Sequence, residues 1–296
     1  MIKKILLIDG SAICHAVTYA LPSLSFEGVG TAVIYGFLTQ LFNLQKIHSA
    51  DHIVFAWDSS GSKREELFPE YKAKRKAKRK AEREACTPQE REEGARIFRQ
   101  FTELKEEVIP SLGFVNGLSQ EGHEGDDIIA SICKSYPNHS IVIVANDRDL
   151  FQLINSRHTM WYLKERKIIT EKDISERYQI HPSRFAEMKS LAGCPTDEVP
   201  GIPGVGETKA IQYMCGDMKK TSKIYQRIIE SADIIELTRR LVELPFEGTK
   251  EFKLQPDTCT INKFKRLIRK YGFKSFNEPG YLVEFDRNFC DKTKIF

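Results

Sequence analysis

The chain has 296 residues, of which 41% are hydrophobic, and its formal net charge is only +4. This length suits one large domain or one domain with a smaller appendage, and no apolar run approaches the length that spans a bilayer. Seven cysteines at irregular spacings match neither a disulfide framework nor a zinc motif, so we expect a reducing compartment and a cytoplasmic protein.

Three buried strands are predicted, and each ends in an aspartate. They lie within residues 3–10, 51–58 and 140–147, and their terminal acids are Asp9, Asp58 and Asp147. One aspartate at such a place is more often a turn residue than a ligand. Because the carboxyl ends of parallel strands meet at one edge of a sheet, three of them together predict a shared site.

The stretch from residue 59 to residue 85 has a different composition. Eight lysines or arginines and one glutamate lie between Lys72 and Arg83, and alanine recurs at every fourth position. As a helix this segment has no apolar face to bury, so we expect it to project from the fold. A solvated charged helix is the simpler interpretation, but so many cations repel one another without a polyanion such as a nucleic-acid backbone. Thr87 then begins a longer amphipathic helix that runs toward Val108.

The most informative stretch is the acidic start of a later helix. Glu124, Asp126 and Asp127 lie in its first turn, where the helix dipole favours acids, so capping alone could account for part of the cluster. The strand that follows ends in Asp147 and Asp149. Five acids at one sheet edge repel one another unless a cation holds them, and oxygen ligands without neighbouring Cys/His pairs suit Mg²⁺ or Mn²⁺. The sequence therefore predicts a metal-binding sheet edge.

A second distinctive stretch follows the sheet. Gly201-Ile-Pro-Gly-Val-Gly206 precedes an amphipathic helix, a pattern that favours a helix–hairpin–helix. Its glycines permit a tight turn, and backbone amides at a helix N-terminus can bind a phosphate. The residues predicted to bind DNA here are Gly204, Gly206 and Lys209.

The remaining elements are less informative. Short strands are predicted at residues 114–116, 160–163 and 167–169. Residues 222–250 are predicted to be helical. Residues 262–271 form a basic amphipathic helix that either extends a duplex-binding surface or is merely solvated.

The motifs form an ordered set. Its members are Asp9, Asp58, Pro69-Glu-Tyr-Lys-x-x-Arg75, Glu124-Gly-Asp-Asp127, Asp147-x-Asp149 and the stretch from Asp197 to Gly206. This set resembles the 5′-nuclease superfamily, which includes flap endonucleases, bacteriophage 5′-exonucleases and the 5′-nuclease domain of bacterial DNA polymerase I. The resemblance covers roughly residues 5–215 and is specific as a set. Because no polymerase sequence follows it, we expect a stand-alone enzyme of the bacterial or phage type.

The resemblance implies an α/β fold with a PIN-like mixed central sheet flanked by helices. It also implies a helical arch and a helix–three-turn–helix DNA-binding subdomain. We expect a nuclease core at residues 1–181, with the basic helical arch at about 60–100. A helix–hairpin–helix DNA-binding subdomain is expected at residues 182–262, and a C-terminal segment at residues 263–296 is expected to pack back on the core.

The resemblance further implies a structure-specific 5′-nuclease, a flap endonuclease or 5′–3′ exonuclease that hydrolyses DNA near 5′ ends or flap junctions with two divalent ions. The implied ligands of the first ion are Asp9, Asp58, Glu124 and Asp126, with Asp127 in its outer shell. Asp147 and Asp149 would lie between the ions, and Asp197 beside the second. The implied catalytic residues at the base of the arch are Tyr71, which stacks a base, and Lys72 and Arg75, which neutralise the scissile phosphate. The arch cations expected to bind DNA are Lys74, Lys76, Lys78, Arg79 and Lys80.

One departure from the family pattern concerns the second ion. The family usually has Gly-Asp-x-x-Asp-Asn before the hairpin, whereas this chain has Gly193-Cys-Pro-Thr-Asp-Glu198. An acid at a second-metal position is thus replaced by Cys194, so we expect two ions with a weakened second site. The alternatives are a flap- or junction-binding DNA protein with weakened cleavage, and a topoisomerase/primase-like domain, which leaves Asp9, Asp58 and the hairpin unexplained.

The expected ligands and partners follow from the same resemblance. The cofactor is Mg²⁺ or Mn²⁺, with K⁺ as a candidate ion at the hairpin. The partners are branched or 5′-ended DNA, RNA–DNA primer junctions and a replication polymerase. We expect no membrane contact and a monomeric protein.

Overall fold

The computed structural model describes residues 2–18 and 24–290, and a six-stranded sheet lies at its centre. Its strands are β1 (Lys4–Asp9), β4 (His52–Ala56), β5 (Gly117–Leu118), β6 (Ser140–Ala145), β7 (His158–Tyr162) and β8 (Lys167–Ile169). A separate hairpin joins β2 (Ser25–Phe26) to β3 (Val29–Gly30). The sheet order is β5-β4-β1-β6-β7-β8, and every neighbouring pair is parallel except β7 with β8.

Helices cover both faces of this sheet. In chain order the α-helices of the described residues are α1 (Gly10–Val17), α2 (Ala32–His48), α3 (Lys63–Leu67), α4 (Ala73–Ala85), α5 (Pro88–Glu103), α6 (Ile109–Leu112), α7 (Gly125–Ser135), α8 (Glu171–Tyr178), α9 (Phe185–Ala192), α10 (Glu207–Met214), α11 (Lys223–Glu230), α12 (Ala232–Val242), α13 (Ile261–Tyr271) and α14 (Pro279–Phe285). The mixed central sheet flanked by helices that the sequence predicts is confirmed. Within the described ranges, no helix combines the length and apolarity needed to cross a membrane.

The alternation of side chains along β1 builds two cores from one strand. Leu6 and Ile8 belong to the core beneath α1, α2, α5 and the C-terminal helices, whereas Ile5 and Leu7 belong to the core beneath α7, α8 and α9. All four are fully buried. A strand covered on both faces has no polar side, which explains its continuous apolar sequence. The central strands are therefore rigid supports for the residues at their ends.

The helices after residue 260 pack against the first of these cores. Phe264, Phe276, Phe285 and Phe289 are buried and contact the ring of Phe42 on α2. This aromatic cluster holds the C-terminal helices against the sheet. The final part of the predicted C-terminal segment, residues 291–296, lies outside the described residues.

Two predicted elements are wrong in their position. The short fifth strand is at Gly117–Leu118 rather than at residues 114–116, because the Val115 amide donates to Asp257 Oδ1 at 2.9 Å and leaves the strand ladder. The helix expected to continue to residue 250 ends at Val242. Beyond it, the Leu244 amide donates to the Gln152 side chain at 2.9 Å, so the backbone is bonded to the core instead of to a helix.

The basic segment is helical, as α4, and it has no buried residue. Thr87 and Glu90 form a reciprocal capping box at the start of α5. That helix continues through a π-helical turn (Leu104–Val108) into α6, so it extends beyond the predicted end at Val108. The pair α4 and α5 thus forms a long helical segment with an exposed basic half.

Candidate active site

The three strand-end aspartates line one cavity of about 890 Å³. Each is fixed by a backbone amide near the start of a helix or helical turn. Asp9 Oδ1 accepts from the Ala12 amide at 2.8 Å, Asp58 Oδ1 accepts from the Gly125 amide at 2.9 Å, and Asp147 Oδ1 accepts from the Asp149 amide at 2.8 Å. The carboxylates predicted to share a sheet edge therefore do lie together there.

The start of α7 adds two more carboxylates to this cavity. Glu124 is its N-terminal capping residue, and Asp126 lies in its first turn. Asp127 faces away from the cavity and is completely buried. Its Oδ2 accepts from the Glu124 amide at 3.0 Å, so it fixes the backbone of a neighbour that does line the cavity.

The acids that line the cavity are held in a strongly anionic environment. Burial, together with the charges of Asp58 and Asp147, raises the pKa of Asp9 to about 7. Burial and the charges of Asp147, Asp9, Glu124 and Asp58 also raise the pKa of Asp126 well above its ordinary value. Carboxylates that repel one another in this way are stabilised by a cation, and their oxygen atoms suit a hard ion such as Mg²⁺. The donor set at this edge therefore fits a divalent metal.

Tyr71 and Lys72 connect this acidic edge to the basic helix. Lys72 Nζ donates to both oxygens of Glu124 at 2.7 and 2.9 Å, and the Tyr71 hydroxyl donates to Glu124 Oε2 at 3.1 Å. Burial opposes the charge of Lys72, but Glu124 overcomes it and raises the lysine pKa. The Lys72 amide also donates to the Asp197 carbonyl at 2.9 Å. The N-terminus of α4 is thus fixed at the cavity, next to Arg75.

A buried ion pair lies beneath this edge. Arg64 Nη1 and Nη2 each donate to one oxygen of Asp127 at 2.7 Å, and both side chains are almost completely buried. Arg64 Nε donates to the Leu241 carbonyl at 2.8 Å, and Asp127 accepts from the Phe246 amide at 2.9 Å. Burial opposes the ionised form of Asp127, but the guanidinium holds the pKa of that carboxyl below its usual value.

A second cluster lies beside the first. One donor atom from each of Asp149, Cys194 and Asp197 lies within 4.8 Å of the other two. Here the acids have cationic neighbours: Lys189 Nζ is 3.2 Å from Asp149 Oδ1, and Asp197 is 3.9 Å from Lys72 and 3.7 Å from Arg75. The sulfur of Cys194 makes this donor set a poor match for Mg²⁺.

The predicted hairpin joins α9 to α10. Gly204 adopts a φ of +80°, a conformation that glycine adopts readily, and Gly206 is the N-terminal capping residue of α10. Lys209 Nζ donates to the Gly204 carbonyl at 2.8 Å, which holds its ammonium at the exposed turn. Backbone amides at a helix N-terminus such as that of α10 can bind a phosphate.

The five predicted DNA-binding cations of α4 are all exposed, and they differ in their surroundings. Lys76 and Arg79 line the cavity, and Lys76 pairs with Glu65. Lys78 and Lys80 pair with glutamates one turn away, at 3.8 and 4.0 Å. Lys74 lies beside them at the start of the helix. The cations therefore extend from the cavity outward along the helix.

Two buried cations at the site were missed by sequence reasoning. Arg64 lies among charged residues in the sequence, and Lys189 lies five residues before Cys194. Lys189 had a detectable signal, because it lies on α9 between the buried residues Met188 and Leu191. A lysine on an apolar helix face indicates a buried acidic partner.

A family model for the 5′–3′ exonuclease N-terminal, resolvase-like domain matches residues 4–179. The chain is 27% identical over 304 residues to the 5′–3′ exonuclease of Aquifex aeolicus (strain VF5), a match that covers 97% of this chain and 96% of the relative. It is also 30% identical over 317 residues to DNA polymerase I of Mycobacterium leprae (strain TN), covering 96% of this chain and 33% of the polymerase. Against DNA polymerase I of Mycobacterium bovis (strain ATCC BAA-935 / AF2122/97) it is 32% identical, over 71% of this chain and 22% of the polymerase. The chain therefore spans only about a fifth to a third of those polymerases.

The fold also resembles that of solved 5′-exonuclease structures. The zinc-bound structure of T5 5′-exonuclease superimposes with a TM-score of 0.68 at 19% identity, over 82% of this chain and 90% of that one. The family match covers more than half of the chain and includes every strand of the central sheet. The predicted superfamily is confirmed: the chain belongs to the 5′–3′ exonuclease family of 5′-nucleases.

Proposed function

We propose that the chain is a structure-specific 5′-nuclease that hydrolyses DNA phosphodiesters near 5′ ends or flap junctions with divalent metal ions. The observation that carries this proposal is the cavity of about 890 Å³, which has five carboxylates on the sheet side and the cations of α4 on the other. Carboxylates suit metal ions, and cations suit the phosphate backbone. A phosphodiester in this cavity would lie between the two.

Acids that line the cavity are the proposed ligands of the first ion: Asp9, Asp58, Glu124 and Asp126. Asp147, whose Oδ1 accepts from the Asp149 amide, would lie between this ion and the second. Asp127 would act from outside the coordination sphere, because both its oxygens are bonded to Arg64. When bound, divalent ions activate water and stabilise the charge of the leaving oxygen.

The second cluster is proposed to hold a second ion through Asp149 and Asp197. A requirement for a divalent cation is in keeping with the zinc-bound state of the T5 enzyme. We propose that two such ions bind, that Mg²⁺ is the hard ion of the first site, and that K⁺ binds at the hairpin.

Lys72, Arg75 and Tyr71 are the proposed catalytic residues. Lys72 and Tyr71 both donate hydrogen bonds to Glu124. An ion held by Glu124 would compete for the oxygens that now accept from Lys72, and would leave its ammonium free for a phosphate. The ammonium and the guanidinium of Arg75 would then stabilise the additional negative charge that develops in the transition state. Tyr71 would stack on a base.

The DNA is proposed to contact two further surfaces. The outer cations of α4, which include Lys78 and Lys80, would bind phosphates near the 5′ end. The turn between α9 and α10, at Gly204 and Gly206, would bind the backbone of the duplex. We propose monomeric action on branched or 5′-ended DNA, with RNA–DNA primer junctions and a replication polymerase as further partners and a cytoplasmic location.

The test is cleavage of a 5′-labelled flap substrate with Mg²⁺ or Mn²⁺, compared with the same reaction in chelator. We expect metal-dependent products from the 5′ end or the flap junction. Tight binding of the flap without cleavage by either ion would favour the other candidate, a junction-binding protein with weakened cleavage, which Cys194 favours. Cleavage that continues in chelator would contradict the metal site.

A further inference from the structure

The second cluster differs chemically from the first because it contains a sulfur atom. One donor atom from each of Asp149, Cys194 and Asp197 lies within 4.8 Å of the others, which is close enough for one ion to contact all three. Cys194 is 7% exposed, and its sulfur lies 3.2 Å from the Thr196 hydroxyl. Cys194 packs in a small apolar cluster with Tyr71, Val199, Leu241 and Val242, and its sulfur lies at the polar edge of that cluster, near Thr196 and the two carboxylates.

The backbone holds Cys194 and Asp197 on one closed turn. Cys194 and Val199 exchange both backbone hydrogen bonds at 3.1 Å, and the Asp197 amide donates to the Cys194 carbonyl at 3.1 Å. Gly193 precedes the turn with a φ of +72°, and a Cβ there would lie 2.6 Å from the Gly201 amide nitrogen. The sulfur and the carboxylate are thus presented by a rigid loop, opposite Asp149 on the helical turn after β6.

We propose that Asp149, Cys194 and Asp197 form a site for a thiophilic divalent ion, of which Zn²⁺ and Co²⁺ are representative. A thiol is a poor ligand for Mg²⁺, whereas a thiolate with two carboxylates suits these softer ions. Binding replaces the S–H bond by a metal–sulfur bond, and the proton leaves to solvent. Any role of this ion in catalysis rests on the proposed nuclease function, which the inference extends to the chemistry of the second metal site.

Lys189 competes with a metal ion for the carboxylate of Asp149. Its ammonium lies 3.2 Å from Asp149 Oδ1 and its side chain is 7% exposed, so it already balances one acid of the cluster. It also lies 3.9 Å from Glu207, which remains as its acceptor when an ion takes Asp149. The arrangement lets the ammonium turn from one carboxylate to the other without losing an ionic partner.

The experiment titrates the metal-free protein with Co²⁺ alone and records its absorption. We expect a thiolate-to-cobalt charge-transfer band in the near ultraviolet and the release of about one proton per bound ion. Excess Mg²⁺ leaves the band in place, and Zn²⁺ removes it. Cys194→Ser should lose the band and bind Co²⁺ at least about tenfold more weakly.

A matched control is Cys215→Ser, which changes an exposed cysteine outside the cluster. It should keep both the band and the affinity. Asp197→Asn should keep the band at reduced affinity, which tests the carboxylate separately from the sulfur. Circular dichroism of each variant checks that it is folded.

Two results would overturn the inference. A band that survives in Cys194→Ser would place the cobalt at another cysteine. If wild-type protein shows no thiolate band, no soft ion binds at this site and Lys189 remains paired with Asp149. Because the titration contains no DNA, absence of flap cleavage would count against the proposed function and leave this result unchanged.

Discussion

The two acidic clusters of this molecule differ in how their charge is balanced. In the strand-end cluster, burial and other carboxylates raise the pKa of Asp9 and Asp126. Burial also raises the pKa of Asp149 and Asp197 in the second cluster, but Lys189 beside Asp149 and two cations within 4 Å of Asp197 act in the opposite direction. Lys72 offsets one acid of the first cluster, Glu124, and the other acids of that cluster therefore have the greater need for an added cation. The number of acids at a site does not by itself indicate its demand for metal.

The most severe test of this contrast is Asp126→Asn. It removes a ligand from the cluster that needs the cation, so we expect cleavage to fall by roughly a thousandfold, or about 4 kcal/mol of transition-state stabilisation. Single-turnover cleavage of a labelled flap in Mg²⁺ measures it. Asp173→Asn is the control, since Asp173 also lies in the first turn of a helix but outside the cavity. A near wild-type rate for Asp126→Asn would contradict the metal assignment.

A smaller effect is expected for the cation that joins the two clusters. Lys72 contacts Glu124 and lies near Asp197, so Lys72→Ala should lower the single-turnover rate by roughly a hundredfold with little change in affinity. Lys78→Ala, on the exposed part of the same helix, should mainly weaken binding and reduce the salt dependence by about one phosphate contact. Equal losses of rate in the two variants would remove the distinction between catalytic and binding cations.

Replacing the sulfur should make the second cluster more like the first. Cys194→Asp adds a third carboxylate, so we expect the Mg²⁺ concentration for half-maximal cleavage to fall severalfold and the maximal rate to rise. Cys215→Asp adds the same charge at an exposed position and should leave the titration unchanged. If Cys194→Asp leaves the Mg²⁺ titration of cleavage unchanged, the second ion is held without a ligand at position 194.

The smallest expected effect is on stability. An aspartate titrates near 3.8 in the unfolded chain, whereas the pKa of Asp9 is raised to about 7 in the folded protein. Between these values the folded state binds more protons, so this group makes the metal-free protein less stable as pH rises from about 4 to about 7. Burial and Lys4 lower the pKa of His48 to about 4, which acts in the opposite direction.

The difference between wild type and Asp9→Asn isolates the carboxyl. Asparagine keeps the acceptor for the Ala12 amide, so the variant should be more stable than wild type at about pH 8 and not at about pH 4. Urea unfolding in chelator measures both. Added Mg²⁺ should stabilise wild type more than the variant at the higher pH, and an equal response would contradict a ligand role for Asp9.

The strand-end cluster could be predicted because its pattern is local. Each buried apolar run is short and ends in an acid, and the ends of parallel strands necessarily meet. Two buried cations of the site could not be predicted in the same way. Lys189 lies 40 positions from Asp149, and Arg64 lies 63 positions from Asp127, so these pairs depend on tertiary packing. Periodicity can mark Lys189 as a lysine on an apolar helix face, but it does not identify the acid with which it pairs.

The Arg64–Asp127 pair has a consequence for dissecting the molecule into fragments. The guanidinium donates to the Leu241 carbonyl, and the carboxylate accepts from the Phe246 amide. A fragment that stops at residue 179, where the family match ends, lacks both of these backbone partners. It would expose a charged pair that is buried in the full chain, directly behind the capping residue Glu124. The structure of the acidic edge therefore depends on a stretch of chain more than one hundred residues downstream of α7.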